Sequence, residues 1–320
     1  MAVVDERANH LVLVQSRFPA LYIVAVQAVL AQESLSELII ANLTSRRIDY
    51  EAVWHGQSEW RLLPPFEHPV PSCLFVTGTG LTHKASAENR QSMHGDVAQM
   101  TDSMKMYRIG LEGGRPAPGT IGAPPEWFYK GTGHIVRAHG EPLDVPNHGD
   151  DGGDEAEIAG VYLIGPDGTP HRVGLVQGNE FSDHVLEARN YLYLAQSKLR
   201  SCSLGPEIVI GGDLSREVRG EARIERHGET TWSGPLASGE PWMCHTLANL
   251  EHHHFKHDAH RRPGDAHVHF FGADLFSFKD RLRLDDGDVM VVAFDGFGRP
   301  LRNPIRIDRS EPRAVQVKVL

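Results

Sequence analysis

Cysteine is scarce. Cys73, Cys202 and Cys244 stand far apart with no C-x-x-C among them, which excludes a disulfide framework and a zinc finger as organising devices. No apolar run is long enough to span a bilayer; the stretch from Ala20 to Ala31 falls short. The opening residues, MAVVDERANH, carry early acids and no basic n-region, so a cytoplasmic location is the expectation. Positive charge is in deficit, 32 Lys and Arg against 42 Asp and Glu, and the net charge of −10 argues against general affinity for nucleic acid or anionic membrane. Missing too are a P-loop, G-x-S-x-G, H-E-x-x-H, an internal repeat and any long low-complexity tract. What remains is ordinary globular composition, 40% hydrophobic and 23% charged, in a chain long enough for a substantial core.

Against that background one stretch carries unusual chemistry. After Glu155, Ile158 to Ile164 is β-prone, Gly165-Pro166-Asp167-Gly168 is a turn signal, and His171 to Gln177 reads as a returning strand. Residues i and i+2 of a strand project from one face, so Glu155 and Glu157 stand side by side, with Glu180 arriving just past the partner strand. At about 4 Å, each pair of carboxylates repels by ~1 kcal/mol in water and roughly 4 kcal/mol at an effective dielectric of 20. Three converging acids therefore call for a cation, and an all-oxygen set favours Mg²⁺ or Mn²⁺, or Ca²⁺, over Zn²⁺. Spacing alone favours a solvated acidic hairpin over a metal site, since E-x-E is common on exposed strands.

Leu21 to Leu43 has helical periodicity, with a second start at Ser34 and Glu37. Tyr50 to Leu63 is less regular and is expected to include short strands. Leu74-Phe75-Val76 leads into Gly78-x-Gly80, but the third glycine of a dinucleotide fingerprint would fall on His83. The alternative is a loop presenting His83 before a helix through Glu88, Arg90 and Met93. The proline-rich stretch from Arg115 to Pro125 marks a boundary. Ser182 to Arg200 reads as one helix with Ser182 as N-cap, placing His184, Glu187 and Tyr191 on one face and Lys198 at its end. His252, His253, His254, His257 and His260 read as a surface helix because Lys256, Arg261 and Arg262 flank them.

Glu155-x-Glu157, then Asn179-Glu180, then Lys198 before Gly205-Pro206, resembles the fumarylacetoacetate hydrolase superfamily. So do Pro263-Gly264-Asp265 and Gly296-x-Gly-x-x-Leu-x-Asn-Pro304; the resemblance covers roughly residues 120 to 310. It implies an α+β fold: a mixed β-sheet roll or barrel catalytic domain over 119–320 and a smaller α/β N-terminal domain over 1–118. It also implies metal ligation by Glu155, Glu157 and Glu180. Two departures stand out. Glu180 replaces the family's usual Asp, and His269-Phe270-Phe271-Gly272 stands where Gly-Thr-Pro is usual. The stretches GTGLTHKASAENR and HVHFFGADLFSF look more like a subgroup acting on 2-keto-3-deoxy sugar acids, the pentonate dehydratases.

On that resemblance the expectation is a Mg²⁺-dependent hydro-lyase of pentose catabolism. A 2-oxo acid would be deprotonated at C3, lose its C4 hydroxyl and yield 2-oxoglutarate semialdehyde. Lys198 is the first candidate base and His83 the candidate acid, with those roles open to exchange. His184, Glu187, Lys130 and His269 are candidate substrate contacts. Hydrolysis of an acylpyruvate and a silent metal-binding homologue are the alternatives. A homodimer or higher homo-oligomer follows only by analogy with the family.

Overall fold

Short apolar runs bounded by Gly, Pro, Asn and Asp become strands, and strands dominate the molecule. The computed structural model describes residues 1–88 and 101–320. β1 (Ala2–Asp5), β2 (His10–Val14) and β3 (Leu43–Asp49) form an antiparallel meander. The other strands are β4 (Leu74–Gly80), β5 (Glu126–Thr132), β6 (Val136–Arg137), β7 (Leu143–Val145), β8 (Ala156–Ile164), β9 (Pro170–Asn179), β10 (Cys202–Ile210), β11 (Val218–Arg226), β12 (Glu229–Ser238), β13 (Ala266–Phe270), β14 (Val289–Phe294) and β15 (Leu301–Ile307). They build a seven-stranded sheet, β5-β4-β13-β8-β9-β10-β6, and a five-stranded one, β12-β11-β14-β15-β7. Both mixed parallel and antiparallel pairing occur, as the α+β expectation requires.

The proposed hairpin is β8–β9, and Glu155 and Glu180 flank its open end. All nine residues of β8 are buried, because both sheet faces are covered. On one face Ala159, Val161 and Leu163 join Val268, Phe270 and the helix residues Leu21, Val24 and Ala25. On the other, Ala156 and Ile158 pack with Ala222, Leu236, Val292 and Phe294 of the five-stranded sheet. β4 lies inside the seven-stranded sheet, parallel to β13 and antiparallel to β5. Residue 118 therefore falls in the connection between two strands of one sheet.

Several elements differ from expectation. Tyr50–Trp54 is a helical turn rather than strand, capped by Asp49, whose carboxylate accepts from the Ala52 N–H; residues 55–70 contain no strand. The helix expected over 182–200 is broken into His184–Arg189, a 3₁₀ turn at Tyr191–Tyr193 and Leu194–Ser197. Asn190 makes the break: its backbone is extended, and its side chain accepts from the Leu192 N–H and restarts the chain. The cap is Asp183, not Ser182. At the N-terminus the periodicity holds, as Leu21–Ala31 and then Leu35–Ala41, with the Ser34 hydroxyl accepting from Glu37. No single helix among the described residues is long and apolar enough to cross a membrane. Residues 84–88 are helical, while Arg90 and Met93 lie outside the described residues.

The histidine run is not a surface helix. His253 and His254, on the helix Leu247–Phe255, are buried. Alternation explains it: Ala266, Val268 and Phe270 face the helical core, so His267 and His269 project from the opposite face of β13. There His254 stacks on His269 at 4.4 Å and lies 3.0 Å from His267 Nδ1, with the Trp127 indole N–H donating to its Nδ1.

Candidate functional site

One peptide link and the Asn179 side chain lock the mouth of the β8–β9 hairpin. The Glu180 N–H donates to the Glu155 carbonyl, and Asn179 Oδ1 accepts from the N–H groups of both Glu155 and Phe181. Phe181 takes a left-handed conformation, φ 45°, uncommon for a bulky residue, and sinks its ring among Leu143, Val145 and Ile305. Arg200 braces the same segment from outside, pairing with Asp183 and donating to the carbonyls of Asp151 and Ser182.

Held this way, Glu155, Glu157 and Glu180 converge. One oxygen from each lies within 4.8 Å of the others, and all three side chains are buried. Among the described residues this is the one group of acids, histidines or cysteines so arranged. Two ammonium groups are set against it. Lys198 Nζ lies 2.5 Å from both Glu155 Oε1 and Glu180 Oε2, and 4.9 Å over the Phe128 ring. Lys130 Nζ lies 2.5 Å from Glu180 Oε1 and donates to the carbonyls of Phe181 and Lys198. Glu157 Oε2 accepts from the Gly272 N–H at 2.7 Å, and His184 Nε2 contacts Glu155 Oε1 at 3.0 Å.

The three acids titrate differently because their neighbours differ. Burial pushes Glu155 upward, but the Lys198 charge and the His184 hydrogen bond outweigh it and hold the carboxyl well below its ordinary value. Glu157 is driven well above, by burial and then by the charges of Glu180 and Glu155. Burial and Glu155 carry Glu180 to about 7 against the pull of both lysines. His184 rises because Glu155 more than offsets its burial.

The structure thus brings Glu155, Glu157, Glu180, Lys198, Lys130 and His184 together; Glu187 is buried on the same helix as His184. It does not bring His269 there. Glu157 shares its face of β8 with Ala159 and Val161, whereas His269 points to the opposite face, toward His254. Lys130 is also not poised for substrate: three acceptors already surround its three protons. Rather than riding an open loop, His83 is 1% exposed, and burial lowers it to about 4. It is linked to the acids through Thr82, whose hydroxyl bonds to both His83 Nδ1 and the Phe271 carbonyl, one residue before Gly272. Sequence reasoning missed Asp154, which binds the backbone and hydroxyl of Ser277 and so fastens the segment after Gly272. It also missed the bracing Asp183–Arg200 pair, and no local pattern signals either.

No family model matches the chain. Over 178 residues it is 27% identical to a probable 2-keto-3-deoxyxylonate dehydratase of Haloferax volcanii, a match covering 54% of this chain and 58% of that protein. The chain thus spans rather more than half the length of that curated relative. Superposition on a solved 2-keto-3-deoxy-D-arabinonate dehydratase complexed with magnesium and 2,5-dioxopentanoate gives a TM-score of 0.69 at 18% identity, over 97% of this chain and 95% of that one. A 5-carboxymethyl-2-hydroxymuconate delta-isomerase from Mycobacterium smegmatis gives 0.53 at 19% identity, over 83% and 85%. At these identities what is shared is the fold.

Proposed function

We propose that the chain is a divalent-metal-dependent hydro-lyase of the fumarylacetoacetate hydrolase superfamily that removes water from a 2-keto-3-deoxy pentonate. The buried convergence of Glu155, Glu157 and Glu180 beside Lys198 carries this reading. Its support is a sequence relative and a whole-length fold relative, both named for sugar-acid dehydration.

The residues fit a hard dication. The donors are all carboxylate oxygens, and their mutual repulsion is already met by an ammonium lodged between two of them. Glu155, Glu157 and Glu180 would hold Mg²⁺ or Mn²⁺, which supplies Lewis-acid polarisation of the 2-keto oxygen. His184 fixes the direction of Glu155, Lys130 that of Glu180, and the Gly272 N–H that of Glu157. Lys198 and His83 are the proton-exchanging pair: one takes the C3 proton and the other meets the departing C4 oxygen.

The test is turnover of 2-keto-3-deoxyxylonate and 2-keto-3-deoxyarabinonate with Mg²⁺, coupled to a semialdehyde dehydrogenase. Semialdehyde formation that a chelator abolishes is expected. Turnover of neither C4 enantiomer, alongside cleavage of an acylpyruvate, would replace this reading with the hydrolase one.

A further inference from the structure

Thr82 follows Leu81, which is left-handed at φ 54°, and so enters the site region at a fixed angle. Its hydroxyl oxygen lies 2.6 Å from the Phe271 carbonyl oxygen and 2.9 Å from His83 Nδ1. A hydroxyl has one proton to give, and a carbonyl can only accept it. Toward His83 the Thr82 oxygen is therefore an acceptor, and Nδ1 must carry the N–H. In a neutral imidazole the second nitrogen is then bare. His83 Nε2 is buried and makes no hydrogen bond to any described residue. Burial holds the ring's pKa at about 4, so it is neutral at working pH. The carbonyl that orients Thr82 is itself fixed, since Phe271 N–H donates to Ile158 O and the next N–H, Gly272, donates to Glu157. The acid cluster and the Thr82–His83 pair thus hang on consecutive peptides.

We propose that Thr82 is a positioning residue that locks His83 in the Nδ1–H form, leaving Nε2 as a proton acceptor, so that His83 takes the C3 proton. The assignment of the proton rests on the dehydratase reading; the tautomer does not. In the reaction the C3–H bond breaks and its proton goes to Nε2. The released pair forms the C3–C4 π bond while the C4–O bond breaks toward oxygen, and that oxygen leaves as water with a proton from Lys198. No redox partner is needed.

The experiment is long-range ¹H–¹⁵N spectroscopy of protein labelled at histidine nitrogen, with the His83 signals identified by their loss in His83→Asn. The wild-type protein should show a protonated Nδ1 and an unprotonated Nε2 at neutral pH. Thr82→Val should redistribute the tautomer and lower kcat by roughly 10- to 100-fold with little change in KM. Thr82→Ser, which restores the hydroxyl, should recover both. A wild-type signal with its proton on Nε2, or a Thr82→Val protein whose tautomer is unchanged, overturns the proposal. The expected tautomer in a protein that turns over no sugar acid supports the Thr82 assignment and strikes the dehydratase reading instead.

Discussion

Lys198 is the residue on which the three acids most depend. It touches Glu155 and Glu180, while Glu157 is held by a backbone N–H. Removing one partner of a buried ion pair typically costs about 3–5 kcal/mol, because the other charge is left uncompensated. Lys198→Met should lose stability on that scale in chelator, and added Mg²⁺ should recover part of it; denaturant midpoints that do not move would show the lysine to be incidental. Glu157→Gln keeps the shape and the Gly272 contact but removes the ionisable carboxyl that the proposed cation would draw on. It should stay folded by circular dichroism and lose at least about 100-fold in turnover, and unchanged turnover would remove Glu157 from the site. At this scale the sequence was partly legible. Glu155-x-Glu157 could be placed on one face from strand alternation alone, but the positions of Lys130 and Lys198 could not. Lys130 meets carbonyls 51 and 68 residues away, and no local pattern encodes such a contact.

Elements carry the next layer. The β8–β9 hairpin was readable because its turn, Gly165 to Gly168, interrupts two β-prone runs. The segment 182–200 was misread as one helix because periodicity reports a face, not continuity, and Asn190 offers its own side chain to the backbone instead. The turn after β13 is where geometry is least forgiving. Gly272 has φ 97°, and a Cβ there would lie 2.0 Å from Thr82 Oγ1 and 3.1 Å from the Thr79 carbonyl. Gly272→Ala should therefore displace both the Glu157 donor and the Thr82 hydroxyl. Activity should fall more steeply than with Thr82→Val, with Mg²⁺ affinity also weakened by calorimetry; wild-type affinity would show that this turn does not position Glu157.

For the whole molecule, the α+β class was legible only as what a resemblance across many motifs implies. The stacking of two large sheets and the burial of the histidine cluster were not, since flanking Lys256, Arg261 and Arg262 imitate a solvated helix. That cluster has a pH consequence. Burial, with neighbouring histidines adding to it, lowers His267 and His269 to about 3, and among the described residues their packed surroundings (His254, His260, Phe75, Phe255, Thr77, Trp127 nearby) offer no carboxylate. Above the unfolded value of about 6.5 neither folded nor unfolded chains protonate these rings, so they impose no penalty. As pH falls below it, the unfolded chain binds protons that the folded one refuses, and stability is lost progressively toward pH 3. Each ring contributes at most about 1.4 kcal/mol per pH unit. The melting temperature should drop between pH 7 and 5, and His269→Gln should flatten that drop; an equally steep decline in the variant would place the acid sensitivity elsewhere.

Because Lys198 is tethered to the backbone and already nested among the acids, the protein carries its own monovalent plug. Any dication taken up as proposed would have to displace that ammonium from the same oxygens, so its apparent affinity would fall as the lysine's grip on Glu155 and Glu180 tightened.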